Sequence, residues 1–408
     1  MSYSTETLVK LRGLTGQGRS RANVTVPTVQ RRYRNKHSYN VRANKVTVLN
    51  NTNFAGNYSF QVPAFNSLVG EMWLEVDLPA LTPPATYRKY APLHLIDEVR
   101  LNAGQRFYSY KPREVFPILL SRCRDRFQKQ QLRAIFGGTA SSAGGKFILP
   151  ILTPWSVWQG EGIMDAPDFG ERRGGIWDAS KLANNLVVEL QFATRADGTS
   201  DGASAFATAS DLGNCVLYWE ELVCSKATRD AIRAEIPDSY CVEEYTRQNG
   251  VTVSDSAATT IKCAALVSRA ATTGFIFRCR TAAEDDTDLN CMAGDEELET
   301  LKVTVDGRDV YDTDGRSEQM RDYQNILAGR DSDTAVAEPK FAHWTFGNTH
   351  KQYNSAHIPG LLKNGAVNEL DIDVQSATGS GSTRCDVVAV HLRHFKFSDG
   401  TVKVANAY

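Results

Sequence analysis

The stretch NYSFQVPAFNSLVGEMWLEVDLP, residues 57–79, decides the fold. Over residues 72–78 aliphatic side chains alternate with Trp or acidic ones, and this period of two predicts a β-strand with one buried and one exposed face. A shorter alternation runs over 58–62 and stops at Pro63, because proline cannot donate a hydrogen bond inside a central ladder. The stretch therefore predicts a pair of β-strands near the edge of a sheet.

The same pattern recurs in ATTIKCAALVSRAATTGFIFRCR, residues 258–280, and five further segments then recur in the same order. Both hairpins among them carry turn residues, with Gly104 in the first and Asp306-Gly307 in the second. The five pairs are the hairpins 99–109 and 303–312, the helical stretches 112–136 and 315–329, the extended aromatic runs 146–158 and 340–348, the strands 184–191 and 368–375, and the closing strands 215–226 and 385–396. Six matches in one order indicate an internal repeat.

Each copy of the repeat is rich in strands, and an all-β unit of this size usually closes as a sandwich or a jelly roll. A chain of 408 residues is also long enough for two cores. We therefore predict an all-β protein of two tandem eight-stranded jelly rolls with short helical insertions. The predicted units are an N-terminal arm (1–56), a first jelly roll (57–226), a connector with a short helix (227–257) and a second jelly roll (258–408).

Four stretches of the sequence resemble the double jelly-roll major capsid proteins of tailless icosahedral DNA viruses, which include membrane-containing phages, the adenovirus lineage and the nucleocytoplasmic large DNA viruses. They are FQVPAF with LVGEMWLEVDLP, LIDEVRLNAGQRFYSY (95–110), LYWEELVCSKATRDAIRAEIPDSYCVEEY (217–245) and VVAVHLRHFKFSDGTVKVANAY (387–408). The resemblance covers most of residues 54–408 and implies a homotrimer whose six jelly rolls form a pseudo-hexagonal capsomer of a viral shell. It also implies a location in the virion, assembly in the host cytosol or elsewhere in the host cell interior, and contacts with neighbouring capsomers, minor capsid proteins and penton proteins.

The N-terminal arm carries most of the charge asymmetry of the chain. Up to Gly56 there are ten basic residues and one acid, Glu6, which gives +9; the whole chain is at −1, so the remainder carries −10. A cationic arm on an anionic body predicts a contact with a neighbouring subunit or with an anionic surface. The residues expected to form this assembly arm are Arg19, Arg21, Arg31, Arg32, Tyr33, Arg34, Lys36, Tyr39 and Arg42.

The partner expected for this arm, through the resemblance, is the headgroup layer of an internal viral membrane on the inner side of the shell. Direct contact with nucleic acid is not expected, because such a membrane would separate the shell from the genome. The alternative interpretation of the arm is a disordered solubilising tail.

Motifs of catalysis and cofactor binding are missing from the sequence. It contains no GxSxG, GxxxxGK[ST], HExxH or GxGxxG motif, and we predict no catalytic residue, cofactor or metal. His391 and His394 lie three apart in a predicted strand, so their side chains point to opposite faces and cannot share a metal. The acidic segment 282–299 is interpreted as a solvated loop rather than a Ca²⁺ site, since it lacks the spaced glycine of a known calcium loop.

The eight cysteines include no CxxC pair, and several lie in apolar alternating runs where cysteine acts as a small apolar residue. We therefore expect reduced, structural thiols, which fits the lack of an apolar secretory signal at the N-terminus. Two alternatives stay open at this stage. One is a viral spike or carbohydrate-binding β-sandwich protein, and the other is a glycan hydrolase built from two jelly rolls.

Overall fold

The fold is described by a computed structural model of the chain. The residues that it describes are 40–47, 53–62, 67–87, 90–121, 134–136, 143–156, 176–194, 212–236, 239–263, 266, 271–281, 298–316, 319, 341–345, 369–376, 383–398 and 400–406.

The first half of the chain forms a sandwich of two antiparallel sheets. One sheet has the order β1-β9-β3-β6, with the short β7 added to β3, and the other has the order β2-β8-β4-β5. The strands are β1 (Asn40–Thr47), β2 (Asn57–Val62), β3 (Leu68–Leu78), β4 (Ile96–Asn102), β5 (Arg106–Tyr110), β6 (Gly145–Ile151), β7 (Trp177–Asp178), β8 (Leu186–Phe192) and β9 (Cys215–Val223).

The second half repeats this arrangement strand for strand. Its sheets have the orders β10-β17-β12-β15, with β18 added to β17, and β11-β16-β13-β14. The strands are β10 (Ser239–Val253), β11 (Thr259–Lys262), β12 (Ala271–Thr281), β13 (Leu298–Val305), β14 (Arg308–Asp312), β15 (Phe341–Thr345), β16 (Leu370–Ser376), β17 (Thr383–Ser398) and β18 (Thr401–Asn406).

When β7 and β18 are set aside, each half has eight strands, and in each half the sheets run 1-8-3-6 and 2-7-4-5 in chain order. This order is that of a jelly roll, in which two four-stranded sheets of Greek-key topology pack face to face. The predicted all-β fold of two eight-stranded jelly rolls is therefore confirmed.

The described helices are three short insertions: α1 (Ala91–Leu95), α2 (Pro112–Ser121) and α3 (Lys226–Glu235). Pro112 opens α2, where a missing backbone N–H costs nothing. Ser225 caps α3, because its Oγ accepts a hydrogen bond from the backbone N–H of Thr228 at 3.2 Å. α3 spans the short helix predicted in the connector.

Alternation along the strands builds the two cores. On β3, Met72, Leu74, Val76 and Leu78 are buried, as the opening stretch predicts. The predicted turn of the second hairpin is also present, since Asp306 and Gly307 have φ values of 46° and 74°. Two consecutive positive φ angles define the tight turn whose twist matches that of the flanking strands.

Two strands lie outside the jelly rolls that the sequence predicted. β1 falls within the predicted arm, yet it pairs with β9 along its whole length, from Asn40 opposite Val223 to Thr47 opposite Val216. β10 occupies the second part of the predicted connector and pairs with β17 in the same way. Both strands have the same place in their rolls, next to the eighth strand.

Candidate assembly surfaces

An aromatic cluster joins the two jelly rolls. Trp155 and Trp177 of the first roll stack with ring centroids 4.5 Å apart, and Phe397 of β17 packs edge-on or tilted against them at 5.9 and 5.7 Å. The hydroxyl of Tyr240, at the start of β10, donates to the carbonyl oxygen of Ile176 at 3.1 Å. These four aromatic rings from the two rolls are buried in one core, so β10 and β17 run from the second roll into the first.

The loop between β17 and β18 makes backbone contacts with the first roll. The N–H of Ala183 donates to the carbonyl oxygen of Gly400 at 2.9 Å, and Leu182 forms a β-bridge with Gly400. Gly400 has a φ of 75°, and a Cβ there would lie 2.8 Å from the Cβ of Ala183. Glycine is therefore required at this position both by the backbone angle and by the close approach.

Helix α2 of the first roll covers the outer face of sheet β10-β17-β12-β15. Ile118 packs there with Ile276, Val388 and Val390, which alternate with the residues that face the core of the second roll. These side chains are almost completely shielded from solvent, since Ile276 is 1% exposed and Val390 3% exposed. A helix of the first roll thus covers this apolar face of the second roll.

A polar contact borders this apolar patch. Arg247 on β10 lies 3.7 Å from a carboxylate oxygen of Glu114 on α2 and 2.8 Å from Asp386 on β17. The side chain of Asp386 is only 4% exposed, so the ion pair within the sheet is buried. The face covered by α2 combines an apolar centre with a basic residue at one side.

The matching sheet of the first roll, β1-β9-β3-β6, presents an outer face of similar make-up. Trp73 on β3 and Tyr218 on β9 lie directly opposite each other and stack with centroids 5.5 Å apart and planes 4° apart. Ile148 on β6 is 41% exposed, and Lys45 on β1, opposite Tyr218, is exposed. We call the surface formed by Lys45, Trp73, Ile148 and Tyr218 the open face.

Helix α3 covers only one end of this sheet. Ile232 of α3 packs against Leu68 and Leu222, which lie towards the end of β3 and β9 that is remote from Trp73 and Tyr218. A Trp on the exposed side of an alternating strand was already visible in the sequence. In the structure this Trp73 side chain is partly exposed.

Of the predicted assembly arm, only Arg42 lies among the described residues. Its guanidinium contacts Glu221 of β9 at 2.6 Å, and Asn44 and Ser67 donate to the same carboxylate at 2.5 and 2.7 Å. Burial alone would raise the pKa of Glu221, but these three hydrogen bonds outweigh it and lower the pKa below its ordinary value. Arg42 thus fixes β1 to its own roll. The other residues expected in the arm lie outside the described residues: Arg19, Arg21, Arg31, Arg32, Tyr33, Arg34, Lys36 and Tyr39.

The two histidines of β17 face different environments. His391 is buried and its Nδ1 lies 3.0 Å from the hydroxyl of Thr272, whereas His394 is partly exposed. Burial, together with the positive charge of Arg393, lowers the pKa of His391 to about 4. This histidine is therefore a neutral core residue at neutral pH.

The described cysteines whose side chains the structure gives are Cys215, Cys224, Cys263, Cys279 and Cys385, and none of these five forms a disulfide bond. Burial raises the pKa of Cys215 and of Cys263 to about 12, so neither is a ready nucleophile or metal ligand. Within the described ranges no group of three His, Cys, Asp or Glu side chains could hold a metal ion. The acidic segment is outside the described ranges over residues 282–297. Among the helices that the structure describes, none has the length and apolarity to cross a membrane.

Two complete jelly rolls in tandem, joined through a shared core, define a double jelly-roll protein. No family model matches the sequence, and no curated protein matches it. Solved structures do match. A chain of the capsid model of the virus PBCV-1 has a TM-score of 0.65 at 14% identity, over 92% of this chain and 98% of that one.

Two further structures are similar over comparable lengths. The Faustovirus major capsid protein has a TM-score of 0.58 at 12% identity, over 96% of this chain and 97% of that one. A chain of the Sputnik virophage has a TM-score of 0.58 at 11% identity, over 91% of this chain and 89% of that one. The chain therefore has the fold of the double jelly-roll viral major capsid proteins, and the predicted resemblance is confirmed at the level of the fold.

Proposed function

We propose that this chain is a structural major capsid protein that forms homotrimers, and that these trimers are pseudo-hexagonal capsomers of an icosahedral viral shell. The observation that carries the proposal is the strand-for-strand repeat of one jelly roll within one chain. Three copies of such a chain supply six nearly equal units around a threefold axis, and units of nearly hexagonal shape can tile a surface that penton proteins close. The similarity in fold to viral capsid chains over 92% of the sequence supports the same conclusion.

The working parts in this proposal are surfaces rather than a catalytic centre. Its partners are other copies of the chain and neighbouring capsomers, with minor capsid and penton proteins at the edges of the shell. Its location is the virion, after assembly in the host cytosol. No catalysis, cofactor or metal is part of the proposed function.

The basic arm before β1 is proposed as an assembly element on the inner side of the shell. Its residues Arg31, Arg32, Arg34 and Lys36 could contact anionic lipid headgroups or the acidic body of a neighbour, while Tyr33 and Tyr39 anchor at the interface. Each basic side chain near an anionic leaflet contributes on the order of 1 kcal/mol, and the attraction fades within about 10 Å at ordinary salt. Direct binding of nucleic acid is not part of the proposal.

The test is the mass of the purified chain in solution. Size-exclusion chromatography with light scattering should give a species of three times the 45.0 kDa chain mass, and larger shells under assembly conditions. Interfaces between permanent subunits usually bury more than about 2,000 Å², so the trimer should persist on dilution to nanomolar concentration. A stable monomer at micromolar concentration would overturn the proposal.

A further inference from the structure

We infer that the open face of the first jelly roll is the seat for the second jelly roll of another copy of this chain. The inference rests on the proposed trimer and names the surface that closes it. It follows from the contact between the two rolls within one chain, which has one covered sheet and one matching sheet with its centre uncovered by α3.

The two sheets can be superimposed residue by residue through their strand registers. In the first roll Cys215 of β9 lies opposite Val76, and three residues further along β9 Tyr218 lies opposite Trp73. In the second roll Cys385 of β17 lies opposite Cys279, and three residues further along β17 the strand register places Val388 opposite Ile276. Trp73 and Tyr218 thus hold the positions of Ile276 and Val388.

The residues under α2 and the matching residues of the open face differ in solvent exposure, although both pairs have large, mainly apolar side chains. Ile276 and Val388 are 1% and 8% exposed and pack under Ile118 of α2, whereas Trp73 and Tyr218 are each partly exposed. A stacked pair of large aromatic side chains at the centre of a sheet face is the composition that interface centres favour. The next position of the register holds Ile148 opposite Glu75, whose carboxylate contacts Lys146 at 2.8 Å.

The charge at the edge of the face also repeats. Arg247 lies opposite Val388 in the register of β10 and β17, and Lys45 lies opposite Tyr218 in the register of β1 and β9. Arg247 contacts Glu114 of the roll that covers it. Lys45 is exposed and holds the matching position, so an acidic side chain of the covering copy is its expected partner.

The covering element should be the one that matches α2. α2 follows β5, and the corresponding place in the second roll is the stretch after β14, residues 315–329, whose sequence predicts a helix. That stretch carries the acidic residues Glu318 and Asp322, either of which is a candidate partner for Lys45.

The same contact repeated between chains produces a ring. Within a chain the first roll covers the second, and between chains the second roll covers the first roll of the next copy. Such a head-to-tail contact closes after a whole number of copies or else grows into a filament. If both contacts turn the chain by nearly the same angle, six rolls from three copies close the ring.

The experiment compares Ile148→Arg and Trp73→Ala with Val310→Arg in the full chain. Val310 is 47% exposed on β14 and Ile148 is 41% exposed on β6, so the two arginine variants are matched in exposure and in the side chain introduced. Light scattering should show that Ile148→Arg and Trp73→Ala fall to one third of the mass of the trimer, while Val310→Arg keeps the full mass. Far-ultraviolet circular dichroism spectra that match the unmodified chain, with a cooperative melt, show that the variants are folded.

A photo-crosslinking benzoyl-phenylalanine at Tyr218 gives a second readout. In trimers mixed from ¹⁴N and ¹⁵N chains, mass spectrometry should find it joined to residues 313–340 of a different copy. If the unmodified chain forms trimers but crosslinks elsewhere, and Ile148→Arg keeps the trimer mass, this inference is wrong while the proposed function stands. If the unmodified chain is a monomer, both are wrong.

Discussion

The guanidinium of Arg247 in the second jelly roll lies 3.7 Å from the carboxylate of Glu114 in the first. The same guanidinium holds the buried carboxylate of Asp386 at 2.8 Å. One side chain therefore neutralises a charge inside its own sheet and also orients the helix that covers that sheet. The predictions below start from this residue and move outward to the arm.

Replacing Arg247 with leucine should lower the free energy of unfolding by about 3 kcal/mol, because it removes the ion-pair partner of a carboxylate that is almost fully buried. Adding Asp386→Leu should restore most of the loss. Urea denaturation measures both. As a control, Lys262→Leu removes an exposed partner of Glu369 and should cost at most about 1 kcal/mol. An Arg247→Leu variant no less stable than this control would contradict the prediction.

Phe397→Ala should lower the free energy of unfolding by about 3–5 kcal/mol, since the ring fills the space beside Trp155 and Trp177. The near-ultraviolet circular dichroism of the stacked tryptophans should weaken as well. Val404→Ala on the neighbouring strand β18, where the side chain is 37% exposed, is the control and should cost well under half as much. Equal losses in the two variants would show that the cluster does not join the rolls.

His391 should make the protein less stable in mild acid. Its pKa is lowered from 6.5 to about 4, so the unfolded chain takes up a proton that the folded chain does not. Its contribution to stability is therefore intact above pH 6.5 and falls by up to about 3 kcal/mol as the pH approaches 4. His391→Gln should flatten the dependence of the melting temperature on pH between those limits. His394→Gln, at the partly exposed position of the same strand, is the matched substitution control.

Two truncations should distinguish the contribution of β1 to stability from the contribution of the segment before it. Removal of residues 1–39 leaves β1 in place and should change the melting temperature little. Removal of residues 1–47 takes away the partly buried Val46 and the ladder to β9, and it should cost at least about 2 kcal/mol. Hydrogen exchange should then accelerate in β9 alone among the strands of its sheet. Equal stability of the two truncated chains would mean that β1 adds nothing to the roll.

Reversing Arg31, Arg32 and Arg34 to glutamate should leave trimers intact and block the formation of shells. The physical reason is that the change converts the attraction between the arm and an acidic surface into repulsion. Electron microscopy of assembly reactions and light scattering of the trimers measure the two effects. Reversal of Lys226, Arg308 and Lys396, three exposed basic residues of the body, changes the net charge equally and is the control. Normal shells from the arm variant would show that the arm is a solubilising tail.

The sequence predicted the strands that face a core on one side, because their alternation is regular. β3 and β16 show this pattern, with every second residue buried. β1 was not predicted because NVRANKVT places Arg42, Asn44 and Val46 on one face, and only Val46 is apolar. β10 was not predicted because SYCVEEYTRQNGVTV carries charged residues on both faces of the strand. One of these charged residues, Arg247, makes the contact with Glu114 of the other roll. The contact between the two rolls depends on how the folded rolls pack against each other, and the alternation of residues along one strand does not encode that packing.

The reach of β17 into the first roll has a consequence for the order of events during synthesis. Trp155 and Trp177 leave the ribosome roughly two hundred residues before Phe395 and Phe397, at a translation rate of about 5–20 residues per second. Once β9 is made, the first roll has all of its own strands but still lacks the aromatic side chains that finish its core. Until the last strands are made, we therefore expect Phe107 and Trp177 to lack the aromatic ring of Phe397 that packs against both of them. The finished core of the first roll is thereby tied to the completion of the chain.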